Sequence, residues 1–560
     1  MATVRVAAAQ FFSGTDVAAN LALCREYARR AADEGAKLVV LPENANRVRD
    51  HADRWECWTH SEDLDGPFVT GLRETAAELG VHIAAGVDLR AAVTPAVHIA
   101  SVLIGPDGGV IGVHRKHVLW DYEYTLFEPG DEPYEVFDTA LGRIGLLLCA
   151  DGIVPETPRA LGLLGAEIFC NSLNSRGPDE HRVHVPLRAM ENGVFHVAAN
   201  TVGGPELEWP WMGGSQVVAP DGTVLADAGE LEPGLAIADI DPAEAGDKRM
   251  PGVADLFAWR RPALYGVLTR PLDEVPAAAM YGPSDRPPRL VPTALMQVSH
   301  FRGTEWTVRR GLGQITHAGR QGARLGVLPE LFCFAEGEVA ADPAAAAELS
   351  RDVLARISNA CAEAKIYVAA NLVERDELGR FYSSVFLVDD TGTTVHTYRK
   401  THLTDADRSW ATPGDEITVA RTPVGVIGAM IGEEVWVPEV ARVLALEGAE
   451  LIVHPTSWTT RAARDVAATE RTEENRVHLV SVTRLDCPAG IGSQALRPDD
   501  FVPGQPIAVM RYPTGYWTRP GFEEQLVLDL DLSEADDKMM GHHLDPLAKR
   551  APHLYSMFVE

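Results

Sequence analysis

The apolar residues of the N-terminal half alternate between short continuous runs and helical spacing. Continuous runs at residues 4–10 and 37–41 predict two buried strands. Between them, apolar residues return at the spacing of one helix face before a glycine that suits a helix stop; they are Val17, Leu21, Cys24, Ala28, Ala31 and then Gly35. Further strands are predicted at 81–87, 110–115, 144–149 and 168–170, and helices at 68–79, 155–164 and 186–192. This alternation predicts an α/β fold whose sheets are covered by helices.

The second half of the chain repeats the first in the same order. The segment GAKLVVLPE at 35–43 returns as GARLGVLPE at 322–330. Further pairs are RK at 115–116 and 399–400, PGDE at 129–132 and 413–416, VPE at 154–156 and 437–439, GAE at 165–167 and 448–450, and EN at 191–192 and 474–475. Chance matches would not keep this order. We therefore predict two homologous domains, 1–270 and 289–560, joined by a Pro- and Ala-rich linker at 271–288.

Composition narrows the possible classes of function. Hydrophobic residues make up 46% of the 560 residues and charged residues 23%, which is an ordinary globular balance. The formal net charge of −30 repels nucleic acids and acidic membrane surfaces, so we expect neither as a partner. Apolar runs stay below the ~18 residues of a membrane span, and the N-terminus lacks a secretory signal pattern.

The cysteines indicate a reducing compartment. There are seven, an odd number, and they are widely spaced without a CxxC pair. Neither a disulfide framework nor a zinc cluster is expected from this pattern. We therefore predict a soluble cytoplasmic protein.

Three residues of the first repeat have the chemistry of a catalytic site. Cys149 ends the apolar strand IGLLLC before a predicted helix, a position that presents a nucleophile beside free backbone N–H groups. Glu43 ends the apolar run VVLPE, where an unpaired carboxylate would be costly. Lys116 follows VIGVHR and recurs as Lys400 in a chain where arginine greatly outnumbers lysine, which indicates a need for an ammonium group.

These motifs, taken together, resemble the nitrilase superfamily. The matching segments are PE at 42–43, RK at 115–116, PG at 129–130, CADGIVPE at 149–156, RAMEN at 188–192 and ANTVG at 199–203. The resemblance covers essentially the whole first repeat and, more loosely, the second. It implies a four-layer α-β-β-α sandwich in each repeat. Because members of this family commonly pair such sandwiches face to face, we expect the two repeats to form an intramolecular pseudo-dimer.

The resemblance also assigns roles to individual residues. It implies Cys149 as the nucleophile, Glu43 as the general base and Lys116 as the cation that stabilises the tetrahedral intermediate, with the Ala150 N–H as a second oxyanion donor. Glu123, seven residues after Lys116, resembles the glutamate that orients the lysine and the substrate. No metal or cofactor is implied. A lysine and a carboxylate near the thiol are expected to favour its deprotonation.

The second repeat retains only part of this set. Glu330 and Lys400 remain, Asp407 stands in place of Glu123, and Gly432 stands in place of Cys149. Glycine cannot form a thioester. We predict that the second domain is catalytically inactive and serves as a packing partner, a substrate-loop donor or a regulator.

The predicted reaction is hydrolysis of a small amide through a thioester. Amides, N-carbamoyl compounds and nitriles are all candidate substrates, so an N-carbamoyl amidohydrolase or a nitrilase is an alternative. The segment after Cys149 resembles amidase and carbamoylase members more than nitrilases, in which Cys-Trp-Glu is typical. No arginine follows Cys149 closely, which favours a neutral or cationic amide. Two further alternatives are an acyltransferase that uses an amine acceptor and a non-catalytic binding or scaffold protein.

Candidate substrate-binding residues lie after the strand that ends near Asn171 and in a later segment rich in proline and glutamate. The partner expected is a small-molecule amide or related compound, and the pseudo-dimer itself can form a further homo-oligomer. The candidates near the predicted pocket are Asn174, Arg176, His181, Trp209 and Trp211, although the two tryptophans suit a packing role equally well.

Overall fold

Each half of the chain forms two six-stranded mixed sheets in the computed structural model, which describes residues 3–203, 211–281, 287–298, 300–498, 513–540 and 543–560. In the first half, one sheet has the spatial order Gly234–Ile240, Val4–Gln10, Leu38–Val40, His82–Arg90, Val97–Ile104 and Val110–Arg115. The other has the order Val224–Asp227, Gln216–Val218, Phe195–Ala199, Ile168–Ser172, Gly142–Leu148 and Val136–Thr139. A separate two-stranded ribbon pairs Val202–Gly203 with Trp211–Met212.

The second half repeats both sheets. One has the order Thr394–Arg399, Phe381–Val388, Tyr367–Arg375, Leu325–Val327, Leu290–Gln297 and Glu524–Asp531. The other has the order Ala420–Thr422, Gly425–Ala429, Leu451–Thr456, His478–Thr483, Gln494–Arg497 and Thr514–Trp517. Corresponding strands occupy corresponding places, so the sequence repeat is a repeat of the whole fold.

Helices cover the outward face of each sheet. The outer helices are Val17–Asp33, Pro67–Leu79, Thr304–Arg320 and Pro343–Ala364, and the inner helices are Glu156–Leu163, Val185–Asn192, Pro438–Leu446 and Ala468–Glu473. Shorter helices are Arg54–His60, Glu123–Leu126, Glu338–Ala341 and Asp405–Arg408. No helix in the described ranges is long and apolar enough to cross a bilayer.

Local sequence explains the first helix and its place in the layers. The Asp16 side chain caps it by accepting hydrogen bonds from the backbone N–H groups of Ala18 and Ala19. Cys24 and Ala28 then face a core shared with the first sheet, and Gly35 takes a left-handed backbone (φ +89°) just beyond the helix end. A second core lies between the two sheets and contains Val6, Leu38, Ile144, Ile168 and Phe195. These layers confirm the predicted four-layer α/β sandwich.

The inner helices of the two halves pack against each other and form the predicted pseudo-dimer. Leu161 and Leu187 of the first half share one apolar cluster with Val440 and Leu444 of the second. Two buried ion pairs then cross the interface symmetrically. Arg159 Nε lies 3.2 Å from Glu439 Oε1, and Arg442 Nε lies 3.0 Å from Glu156 Oε1. Since Arg442 and Glu439 are the repeat counterparts of Arg159 and Glu156, the interface has the self-complementary form of a two-fold dimer.

Arg188 connects this interface to the turn that follows the nucleophile strand. Its Nη atoms contact Glu191 of the first half and both Glu470 and Glu474 of the second, at 2.5–2.9 Å. Its Nε donates to the Gly152 carbonyl at 2.7 Å. All four of these charged side chains are fully buried. One guanidinium therefore offsets several desolvated carboxylates.

Replacing this guanidinium should destabilise the protein strongly. In Arg188→Leu the carboxylates lose a buried partner, which typically costs about 3–5 kcal/mol. Arg29→Leu removes an exposed ion pair with Glu78 and should cost less than about 1 kcal/mol. Urea unfolding of the full chain, followed by circular dichroism, measures both. Equal unfolding midpoints for the two variants would contradict the role given to Arg188.

Candidate active site

The candidate site forms where three strands of the first half end. Leu38–Val40 leads to Glu43, Val110–Arg115 to Lys116, and Gly142–Leu148 to Cys149. All three residues are buried, with Cys149 retaining 7% exposure. The residues that sequence analysis selected from separate segments are therefore brought together in space.

Lys116 is held between two carboxylates. Its Nζ donates to Glu43 Oε1 at 2.7 Å and to Glu123 Oε2 at 2.9 Å. Glu123 also accepts from the backbone N–H of Trp120 at 2.7 Å. These contacts offset the desolvation of the ammonium and fix its position. Glu43 Oε2 is buried and has no hydrogen-bond partner in the part of the chain that the structure describes.

Cys149 sits on a strained turn. Its φ of +43° is uncommon for a residue with a side chain, and it begins the 3₁₀-helix Cys149–Gly152. The Cys149 N–H donates to Asn171 Oδ1 at 3.2 Å. Ala150 lies in the first turn of this helix, where N–H groups have no partner within the helix. The predicted strand at 144–149 therefore ends one residue early, because the chain turns sharply at the cysteine.

The surroundings of Cys149 favour the protonated form of its thiol. Burial and the negative charge of Glu43 raise its pKa to about 12, although Lys116 and the backbone N–H of Asn174 act in the opposite direction. The expectation that a lysine and a carboxylate would favour deprotonation is therefore wrong. Desolvation outweighs the ammonium, whose charge is already shared with two carboxylates.

Asp151 ties the nucleophile turn to the loop that carries Lys116. Its Oδ1 accepts from the backbone N–H groups of His117 and Val118 at 3.0 and 2.9 Å, and its Oδ2 lies 2.8 Å from His114 Nε2. Asp151 is fully buried. It fixes the turn that begins at Cys149 relative to the segment around Lys116.

The second half also supports this turn. Met540 and Leu544, which follow the last sheet, pack in one apolar cluster with Val118, Ala150 and Ile153. The second repeat thus contributes to the packing behind the Cys149 turn.

The candidate substrate-binding residues have different surroundings. Asn174 donates from Nδ2 to Asn44 Oδ1 at 3.1 Å. The Arg176 guanidinium lies over the Trp211 ring, with Cζ 4.1 Å from its centroid. His181 Nε2 lies 2.9 Å from Glu230 Oε1, and this contact explains the position of the His181 ring. Trp209 lies outside the described residues. A substrate role for these residues stays a prediction.

Sequence analysis missed three residues of the site. Arg49 reaches Glu123 and forms an ion pair with it. Asp88 accepts from Asn44 Nδ2 at 2.7 Å, and burial raises its pKa to about 7. Asn171 accepts from the nucleophile N–H. Asn171 had a detectable signal, because it is a polar residue near the end of an apolar strand.

The comparison with known families decides the class of the protein. A family model described as carbon-nitrogen hydrolase matches residues 5–250 and again residues 293–500. The chain belongs to the carbon-nitrogen hydrolase family. This confirms the resemblance drawn from the motifs and the tandem arrangement. The protein is accordingly an enzyme for carbon–nitrogen bonds other than peptide bonds.

Several members of the carbon-nitrogen hydrolase family match one repeat length of this chain. A nitrilase from Pyrococcus abyssi is 33% identical over 247 residues, covering 44% of this chain and 92% of the relative. Deaminated glutathione amidase from Homo sapiens is 33% identical over 286 residues, covering 48% and 85%. N-carbamoylputrescine amidase from Solanum lycopersicum is 30% identical over 289 residues, covering 47% and 94%. A solved amidase of the nitrilase superfamily from Nesterenkonia AN1 aligns with TM-score 0.40 and 27% identity, covering 44% and 94%.

The second carbon-nitrogen hydrolase domain keeps the backbone framework of the site but leaves little room for a side chain at residue 432. Lys400 Nζ contacts Glu330 at 3.3 Å and Asp407 at 2.7 Å. Gly432 has a φ of +53°, so the turn of Cys149 is retained. A Cβ at Gly432, however, would lie 2.8 Å from Glu330 Oε2. A side chain at residue 432 would therefore meet the Glu330 carboxylate, which would have to shift.

Two other side chains change the surroundings of Gly432. Glu433 replaces Ala150, accepts from Thr459 Oγ1 at 2.8 Å, and has a pKa raised by burial to about 7. A carboxyl group at this position does not suit the stabilisation of an oxyanion. Trp458 is buried near the turn, with its ring 5.3 Å from that of His454.

Restoring a thiol alone should not restore the second site. In the double variant Cys149→Ser/Gly432→Cys, the new side chain meets the Glu330 carboxylate, and Glu433 still occupies the oxyanion position. We expect amide turnover by the double variant to equal that of Cys149→Ser. Turnover well above that of Cys149→Ser, with an acyl adduct on residue 432 by peptide mass spectrometry, would contradict this account.

Proposed function

We propose that this carbon-nitrogen hydrolase is an amidase that cleaves a small amide through a thioester on Cys149. The observation that carries the proposal is a buried thiol at Cys149 beside Glu43, whose Oε2 has no hydrogen-bond partner among the described residues, while Lys116 is held by the other oxygen of Glu43. A base with a free oxygen and a positioned cation are the two groups that thiol attack on an amide requires.

In the first step the sulfur of Cys149 attacks the amide carbonyl carbon. The thiol proton passes to Glu43 Oε2 as the carbon–sulfur bond forms. The carbonyl π electrons move to oxygen, and the resulting oxyanion is stabilised by the Lys116 ammonium and the Ala150 N–H. Because the thiol has a pKa of about 12, proton transfer has to accompany attack.

In the second stage the tetrahedral intermediate collapses. The carbon–nitrogen bond breaks, the leaving nitrogen takes the proton from Glu43, and ammonia or an amine departs from the thioester. Water then attacks the thioester carbonyl while Glu43 accepts one of its protons. The carbon–sulfur bond breaks, the acid leaves, and the proton returns to the sulfur of Cys149.

Glu123 and Arg49 act through Lys116 in this scheme. Glu123 holds the ammonium at 2.9 Å, and Arg49 pairs with Glu123 from the other side. Glu43 therefore does not have to neutralise Lys116 alone, and one of its oxygens stays available for the proton.

Intact-mass spectrometry tests this proposal. Mixing the full chain with a panel of amides, N-carbamoyl compounds and nitriles should give an acyl adduct with the best amide, and Cys149→Ser should give none. Cys24→Ala, which changes a buried helix cysteine far from the turn, should retain the adduct.

An adduct only with carbamoyl compounds or nitriles would replace the amide assignment. Faster loss of the adduct to added amines than to water would indicate acyl transfer. Absence of any Cys149-dependent adduct and turnover would overturn the proposal.

A further inference from the structure

A second cluster of buried ionisable groups lies between the two repeats. Asp179, Glu180 and His184 of the first repeat meet Glu470 and Glu473 of the second, and all five residues are at most 4% exposed. His184 lies among the carboxylates: its Nε2 is 3.3 Å from Glu470 Oε2 and 3.5 Å from Glu473 Oε1. Its Nδ1 is 3.8 Å from Glu180 Oε2. Four carboxylates are costly to desolvate together unless cations join them.

The polar atoms of this interface cluster are not satisfied by the residues that the structure describes. Each of the four carboxylates has one buried oxygen without a hydrogen-bond partner among them, and neither ring nitrogen of His184 has a partner there. Arg188 contacts Glu470, and Arg476 acts electrostatically on Glu473, yet these oxygens stay unpartnered. A protonated His184 would bring only one positive charge, with neither N–H directed in a hydrogen bond. The cluster therefore has the charge and the free donor atoms to take up a further cation.

The equivalent place on the other side of the pseudo-two-fold interface is apolar. The π-helical turn Glu180–His184 corresponds to the π-helical turn Ala463–Ala467 at an offset of 283 residues, the same offset that relates Glu191 to Glu474. The five counterparts of the interface cluster are Ala462, Ala463, Ala467, Leu187 and Met190. All five belong to the apolar core of the interface. Since the same backbone forms there with apolar side chains, the fold itself does not require the polar cluster.

Three residues of the interface cluster have the arrangement of a metal site. Donor atoms of Asp179, His184 and Glu473 all lie within 4.8 Å of one another. The ligands of a tetrahedral Zn²⁺ lie about 2.0–2.2 Å from the ion and hence roughly 3.4 Å from each other. Small side-chain movements would bring these three donors to that distance. One imidazole with carboxylates is a donor set that suits a divalent transition-metal ion.

We propose that Asp179, His184 and Glu473 bind a divalent transition-metal ion such as Zn²⁺ between the two repeats. The ion is structural, because its ligands come from both halves of the chain and it therefore ties them together. Arg188 contacts Glu470 of the interface cluster and also donates to the Gly152 carbonyl in the turn that begins at Cys149. The ion thus stabilises the contacts that support this turn. It takes no part in the proposed amide hydrolysis, and the inference does not depend on that function.

The metal content of the full chain tests the site. Protein purified without a metal-affinity column, stripped with a chelator, reloaded with Zn²⁺ and desalted should retain roughly one Zn²⁺ per chain by plasma mass spectrometry. Asp179→Asn and Glu473→Gln keep the side-chain shape but remove a charged ligand. Each should weaken Zn²⁺ binding roughly 100-fold or more in competition with a chromophoric chelator. Glu348→Gln, the same change at an exposed position, should bind like wild type.

The apolar side of the interface supplies a variant that should fold without the ion. The triple variant Asp179→Ala/His184→Ala/Glu473→Met introduces the residue types of Ala462, Ala467 and Met190. We expect it to retain no Zn²⁺ and to have the same melting temperature with and without a chelator. The melting temperature of wild type should fall when the chelator is added, because a ligand bound only by the folded state is then removed. Circular dichroism shows that each variant is folded.

Two results would overturn the metal site. Wild-type protein that retains no Zn²⁺ and melts at the same temperature with and without a chelator would show that protons neutralise the cluster instead. Zn²⁺ bound equally by wild type, Asp179→Asn and the triple variant would be an adventitious ion only. Neither measurement uses amide turnover, so failure of the metal site and failure of the proposed function are distinguishable.

Discussion

The site depends on one buried ammonium that two carboxylates share. Lys116 is fully buried, which is tolerated because Glu43 and Glu123 both contact its Nζ within 2.9 Å. Burial and the negative charge of Glu43 raise the pKa of the neighbouring Cys149 thiol. The ammonium, which two carboxylates share, opposes this rise only in part, so the surroundings favour the neutral thiol and the proposed attack calls for a base.

The two halves share the backbone framework of the site but differ in the side chains at its centre. In both halves one carboxylate ties the nucleophile turn to the lysine loop: Asp151 binds the N–H groups after Lys116, and Glu434 binds those after Lys400. The left-handed turn is also retained in both. The side chains around the turn differ, because a Cβ at Gly432 would meet the Glu330 carboxylate and Glu433 stands in place of Ala150. The second domain supplies packing instead, through Met540 and Leu544 behind Ala150.

The sequence contained much of this structure because its signals were local or repeated. Hydrophobic spacing predicted the strand Val4–Gln10 and the helix Val17–Asp33, and the repeat predicted the domain pair. Glu43, Lys116 and Cys149 were identifiable because each follows an apolar strand within a family motif. Arg49 was not, since the corresponding position six residues after Glu330 is Glu336 and a lone loop arginine is usually solvated. The raised pKa of the Cys149 thiol could not be predicted from the sequence, because it depends on burial and on how the charge of Lys116 is shared.

The rate at which a small neutral haloamide alkylates Cys149 in wild-type enzyme and in Glu43→Gln tests the central claim most directly. The sulfur displaces chloride from chloroacetamide and loses its proton, and intact mass with a Cys149→Ser control identifies the site. Removing the charge of Glu43 lowers the pKa of the thiol, so an enzyme that relied on a resting thiolate would react faster. Our account requires Glu43 as the proton acceptor and predicts labelling slower by roughly 100-fold. Labelling that is unchanged or faster in Glu43→Gln would contradict it.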